Sequence, residues 1–183
     1  GYIPDSQLEM AAGHLRFYNS ARQAALERFD IVKIVSMSPW DPWVRKPSWK
    51  LSTGVDQAKE QGCSGPSCMY YNLNAGGGLS ALSHVGRREL YFAMAETDFG
   101  FGPVLPQDWR AGVGASAGVI VDATSFWRIM GEATYIDYAQ RSAPRQRLRL
   151  SNSLRLTRDT ELRVTLDRRN PYEEAGAMFY LYF

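Results

Sequence analysis

The chain has 183 residues, 45% hydrophobic and 22% charged, with 21 Lys and Arg against 19 Asp and Glu for a net charge of +2. That near-balance argues against a nucleic-acid binder, which needs a basic surplus, and 13% aromatic residues argue against a solvated coil. No apolar run approaches the roughly 20 residues of a membrane helix, yet the mean hydropathy of -0.32 leaves room for a transmembrane β-barrel, whose alternating strands average to a soluble-looking value.

Residues 7–18 read as a strand with a bulge near Gly13, because Leu8 and Met10 change parity with Leu15 and Phe17. Residues 27–37 form a second strand whose facing the pattern leaves open. Residues 48–56 set Trp49, Leu51 and Val55 opposite Lys50, Ser52 and Asp56. Residues 69–82 set Tyr71, Leu73, Ala75 and Leu79 opposite Asn72, Asn74, Gly76, Gly78 and Ser80. Residues 89–99 are again a strand without a readable face. Residues 109–121 divide into Val113, Ala115, Ala117 and Val119 against Arg110, Gly112, Gly114, Ser116 and Gly118. Residues 125–138 divide into Trp127, Ile129, Ala133 and Tyr135 against Arg128, Glu132 and Thr134. The last three runs alternate most clearly. Leu148, Leu150, Leu154 and Leu156 oppose Arg147, Arg149 and Arg155; Leu162, Val164 and Leu166 oppose Glu161, Arg163 and Asp167; Ala175, Ala177, Phe179, Leu181 and Phe183 oppose Glu174, Gly176 and Met178.

About ten strands of roughly eleven residues suit a tilted bilayer crossing. The links at 121–125 and 157–160 are tight, whereas those at 57–68, 99–108 and 137–145 are longer. The expected fold is therefore all-β: an antiparallel transmembrane β-barrel of about ten strands (eight at the fewest), with short periplasmic turns and longer extracellular loops. The single domain spans 1–183. Starting at Gly1 without Met or an apolar leader, it is expected to be the C-terminal part of a longer protein or to have lost a signal peptide. The 38–47 link falls on the short-turn side yet carries Trp40 and Trp43, which either anchor at the membrane interface or dock a partner.

Cys63 and Cys68 flank a segment with Gly and Pro that can fold back and close a disulfide, the mark of an oxidising compartment. The rival is a two-thiolate half of a metal site, but no second cysteine pair exists and His14 and His84 are distant in sequence. No metal and no cofactor is expected.

Alternation alone also fits a lipocalin-like cup with its apolar face inward. Aromatics gathered near strand ends (Tyr18, Trp40, Trp43, Trp49, Tyr71, Trp109, Trp127, Tyr135 and Tyr138) and small residues on the polar face favour apolar-outward facing. The inward charges are then Lys50, Arg110, Arg128, Arg147, Arg149, Arg155 and Arg163 with Glu132, Glu161, Asp167 and Glu174, joined by Asp56, Glu9 and Glu96. Seven charges of each sign read as a self-neutralising plug or, alternatively, as a narrow ion or solute path. A third reading is an outer-membrane hydrolase acting on lipid or peptide. It requires an oriented base; His14 is the one histidine near the right level, and no Ser or Asp is assignable to it, so no catalytic residue is named.

The terminal strand, with Gly176, Phe179, Leu181 and Phe183, resembles the C-terminal assembly signal of Gram-negative outer-membrane proteins. Residues 1–9, 26–30, 36–39 and 48–50 resemble the C-terminal barrel of the DUF4105 (Lnb-type) proteobacterial family. The resemblance implies an outer-membrane location in a Gram-negative bacterium, with lipids and the barrel-assembly machinery as partners. It also implies a periplasmic domain to anchor; an envelope protein docking at Trp40 and Trp43 is a further expected partner, and the charge balance leaves no nucleic acid among them.

Overall fold

The computed structural model describes residues 6–18, 23–40, 46–58, 68–83, 88–139, 143–169 and 172–181. They form ten strands: β1 (Ser6–Tyr18), β2 (Gln23–Ser36), β3 (Ser48–Gln57), β4 (Met69–Ser83), β5 (Arg88–Phe101), β6 (Trp109–Asp122), β7 (Trp127–Tyr138), β8 (Arg145–Arg155), β9 (Thr160–Arg169) and β10 (Tyr172–Leu181). Each pairs antiparallel with its sequence neighbours in one sheet ordered β1 to β10, with no α-helix among the described residues. The sheet curls until opposite walls meet: Lys50 on β3 lies 3.5 Å from Glu132 on β7. Among the described residues β1 and β10 form no ladder with each other. The fold is all-β and barrel-like.

Period two decides the facing. Leu148 and Leu150 point outward, 57% and 41% exposed, while Arg147 and Arg149 turn inward to reach Asp167. The outward face of β4–β9 also carries Leu79, Ala93, Ala95, Val113, Ala115, Ala117, Ala133 and Leu166, all exposed. Toward one end of the sheet stand exposed Tyr71, Phe99, Phe101, Trp109 and Tyr135; toward the other stand Trp49, Tyr91, Phe126 and Trp127. Tyr138 does not join this set as expected. It is 5% exposed and sits inside, because its even number shares the inward parity of Thr134 and Ile136.

The two strands left without a face are now readable. On β5 the inward positions are Leu90, Phe92, Met94, Glu96 and Asp98, all buried, so the buried face changes from apolar to acidic along one strand. On β2 the pairing with β3 skips Ile31, and this bulge exchanges the faces: Asp30 points inward before it, and Lys33 lines the interior after it. The pairing of β1 with β2 shifts between His14 and Leu15, next to Gly13 as anticipated, though the unpaired residue is Glu27 on β2.

The two ends differ. One, the turn end, carries the links after β4, β6 and β8; the other, the loop end, carries those after β3, β5 and β7, as well as the two-residue link 170–171, which departs from the expected run of long loops on that side. At the loop end residues 102–108 fold on themselves through Gly102 N–H donating to Asp108 O (2.8 Å) and Leu105 N–H donating to Gly102 O (3.0 Å). This tucks Leu105, 4% exposed, against Tyr70 and Ala58.

Gly114 marks a close inter-strand approach: a Cβ there would fall on the Tyr135 carbonyl oxygen, whereas one on outward Gly131 would meet nothing within 4 Å. Gly114→Ala is therefore expected to cost about 1–3 kcal/mol through forced strand displacement, with Gly131→Ala unchanged or more stable. Denaturant midpoints of the two variants in detergent check this.

Candidate functional site

The interior is the chemically distinctive part of the molecule, and parity plus the small residues of β6 decide what reaches it. Near the loop end the centre is Asp98, fully buried. Its carboxylate accepts from Tyr138 Oη (2.7 Å), Asn72 Nδ2 (3.0 Å) and Arg145 (3.2 Å), with Arg110 at 3.8 Å. The Arg110 guanidinium lies between the rings of Tyr70 and Tyr138, 4.7 and 4.4 Å from their centroids, and donates to Tyr70 Oη at 2.6 Å. Arg145 donates to the same hydroxyl at 3.0 Å. Two guanidinium groups thus share one carboxylate and one phenol, which pairs charges held largely out of water.

At mid-height Lys50 Nζ is 2.5 Å from Glu96 and 3.5 Å from Glu132, and it donates to Ser116 Oγ at 3.3 Å. Gly76 opens the way: a Cβ on it would press on Lys50 Cγ at 3.1 Å. Beside this group Asp167 collects three arginines, Arg147 through a forked pair, Arg149 at 3.4 Å and Arg169 at 3.3 Å. On the neighbouring wall Arg28 pairs with Asp30 at 2.7 Å.

The turn end is different. Leu90, Phe92, Met94 and Ile120 form a buried apolar cluster, with Met37, Leu82 and Met130 packed on it. Below them Arg128 pairs with Asp122 (2.6 Å) and Arg163 with Glu161 (2.8 Å). Arg155, opposite Glu161 in register, is exposed, and so is Arg158 in the following turn; both line the interior cavity, whose volume is about 530 Å³.

Ten of the eleven expected network members thus sit inside: Lys50, Arg110, Arg128, Glu132, Arg147, Arg149, Glu161, Arg163 and Asp167 in the pairs above, and Glu174 half-buried across from Asp167. Arg155 also faces the cavity, but it is exposed at the turn end, and among the described residues it has no ion pair. Asp98, Tyr70, Arg145, Arg169, Arg28 and Asp30 escaped the sequence reading. Parity carried one further step would have found four of them, since Tyr70 and Asp98 lie within the assigned strands two residues from Asn72 and Glu96, and Arg145 and Arg169 lie just beyond them two residues from Arg147 and Asp167. Trp40 is 45% exposed, and its N–H donates to Ser80 O at 2.6 Å beside the start of β3. Gly176 and Phe179 are exposed on β10, and Leu181 ends that strand. Trp43, Cys63, His84 and Phe183 lie outside the described residues, and His14 is placed only as the β1 residue opposite Arg28. Cys68 is buried, and no described cysteine is free. No group of His, Cys, Asp or Glu able to hold a metal occurs among the described residues.

Geometry defines the class first: a curled antiparallel sheet with an aliphatic exterior and an ion-paired interior. The chain belongs to the family described as Domain of unknown function (DUF7840), whose model matches residues 1–183. No curated protein and no solved structure matches it.

Proposed function

We propose that this chain is a transmembrane β-barrel of ten strands in the outer membrane of a Gram-negative bacterium, anchoring a periplasmic domain or envelope assembly. The single observation that carries the reading is the exterior: two aromatic sets, one toward each end of the strands, flank a band of exposed Leu, Val and Ala. An apolar band bordered by interfacial aromatics is what a bilayer stabilises and water does not. Strands of 10 to 15 residues are long enough to span it. In this reading the turn end faces the periplasm and the loop end faces outward. Trp40 lies at the periplasmic rim, where an anchored partner would sit on the link that also carries Trp43, and in the same reading Cys63 and Cys68 form a disulfide in an extracellular loop. The terminal strand serves as the signal for the barrel-assembly machinery, and the resemblance to the DUF4105 family supplies the periplasmic domain.

Anchoring is favoured over conduction by the loop end, where Leu105 packs on Tyr70 and the Arg110–Tyr70–Tyr138 stack and the Asp98 pairs are buried across the interior. The protein reconstituted in planar bilayers is expected to give no steady ohmic conductance. A stable unitary step would replace the anchor with a narrow ion or solute channel. Outer-membrane fractionation together with retarded mobility of the unheated protein on gels tests the location itself; recovery in the aqueous fraction would overturn it.

A further inference from the structure

We propose that the turn-end chamber binds a single-chain amphiphile with an anionic head, a fatty carboxylate or an alkyl phosphate. The tail lies against Leu90, Phe92, Ile120 and Met130, and the head is held by Arg155 and Arg158. The chamber is the turn-end part of an interior cavity of about 530 Å³ that continues as far as Asn72 and Arg145, and the whole cavity falls within the roughly 300–1,000 Å³ of small-molecule sites. Its lining changes along the barrel: at the turn end apolar side chains from β5, β6 and β7 make one wall with arginines at the rim, and farther in it is lined by the charged groups of Lys50, Glu96, Glu132, Arg147 and Arg149. Four of the chain's six methionines, Met37, Met94, Met130 and Met178, line it. Methionine is the side chain that remodels around an apolar guest, being unbranched and polarisable. A polar plug has no use for such a wall.

The rim supplies the second half. Arg128 and Arg163 each hold one carboxylate, whereas Arg155 and Arg158 have no ion pair among the described residues and both face the cavity. A guanidinium fork matches a carboxylate or phosphate head. In this pose the head stops at the exposed Arg155 and Arg158 while the tail runs inward along the apolar wall. The inference concerns the interior alone and stands whether the exterior meets lipid or water.

The test uses the 183-residue chain folded in maltoside and transferred to amphipol, titrated calorimetrically with dodecanoate and separately with dodecyl phosphate. One molecule is expected to bind per chain, saturably, through either or both heads, and which head binds tighter identifies the source. Decanoate should bind about ten-fold more weakly than dodecanoate, following the loss of two buried methylenes, while acetate, inorganic phosphate and dodecanol should not saturate. Arg155→Gln with Arg158→Gln should weaken binding at least ten-fold. Met130→Trp, which fills the chamber without touching the rim, should abolish it with the β-sheet circular-dichroism spectrum retained. Non-saturable uptake, uptake indifferent to both variants, or inorganic phosphate binding as tightly as its dodecyl ester would overturn the proposal. None of these outcomes depends on the conductance or fractionation results, so failure here and failure of the membrane-anchor reading are separable.

Discussion

Asp98→Ala is expected to lower the unfolding free energy by about 3–5 kcal/mol. The carboxylate is fully buried, and removing it leaves Arg110 and Arg145 facing each other without their shared anion. It also strips the Tyr138 hydroxyl of its acceptor. Breaking one side of a desolvated ionic group costs far more than the group contributes as a whole, because the surviving charges stay buried. Glu173→Ala is the control. Its pair with Arg168 spans 3.2 Å, but both side chains are more than 70% exposed, so solvent screening holds the loss to about 1 kcal/mol or less. Urea unfolding of the two variants in the same detergent reads the difference, and equal midpoints would show that the Asp98 group is not holding the strands.

Leu150→Arg is the second variant with a large expected effect, and it addresses the exterior. Leu150 is near the middle of β8, outward-facing and 41% exposed. If lipid surrounds the sheet, an arginine there costs about 2–4 kcal/mol in stability measured in phospholipid vesicles. In water the same substitution on an already exposed position is expected to change stability by at most about 0.5 kcal/mol. The variant therefore separates an acyl-chain environment from an aqueous one by several-fold in free energy, with the interior untouched.

How far the sequence revealed this arrangement depended on which strand was being read. On β8 and β9 the outward residues between the strand ends are aliphatic apart from Asn152, and every inward one is polar, so alternation alone placed Arg147, Arg149, Arg163 and Asp167 correctly. The same rule failed on β5 because Leu90, Phe92 and Met94 face inward while Tyr91, Ala93 and Ala95 face outward; two apolar faces carry no period-two signal. On β2 the bulge at Ile31 reverses the pattern midway, and hydropathy averaged across it cancels. Tyr138 was misplaced for another reason. A tyrosine at a strand end looks the same in sequence whether its hydroxyl meets a headgroup region or a buried carboxylate such as Asp98. Which acid each arginine meets was not legible at all. Lys50 and Glu132 are 82 positions apart, and only the curl of the sheet brings them together.

The strictly sequential strand order has a consequence for how the molecule comes into being. Each hairpin can dock on its predecessor using contacts close in the chain, so most of the ladder forms without long loops to close. The Lys50–Glu132 and Arg145–Tyr70 bridges form only after the far walls have swung together, late in assembly. Interactions absent from the rate-limiting step hold back disassembly rather than speed construction. The ionic interior thus works as a latch that sets the lifetime of the finished structure.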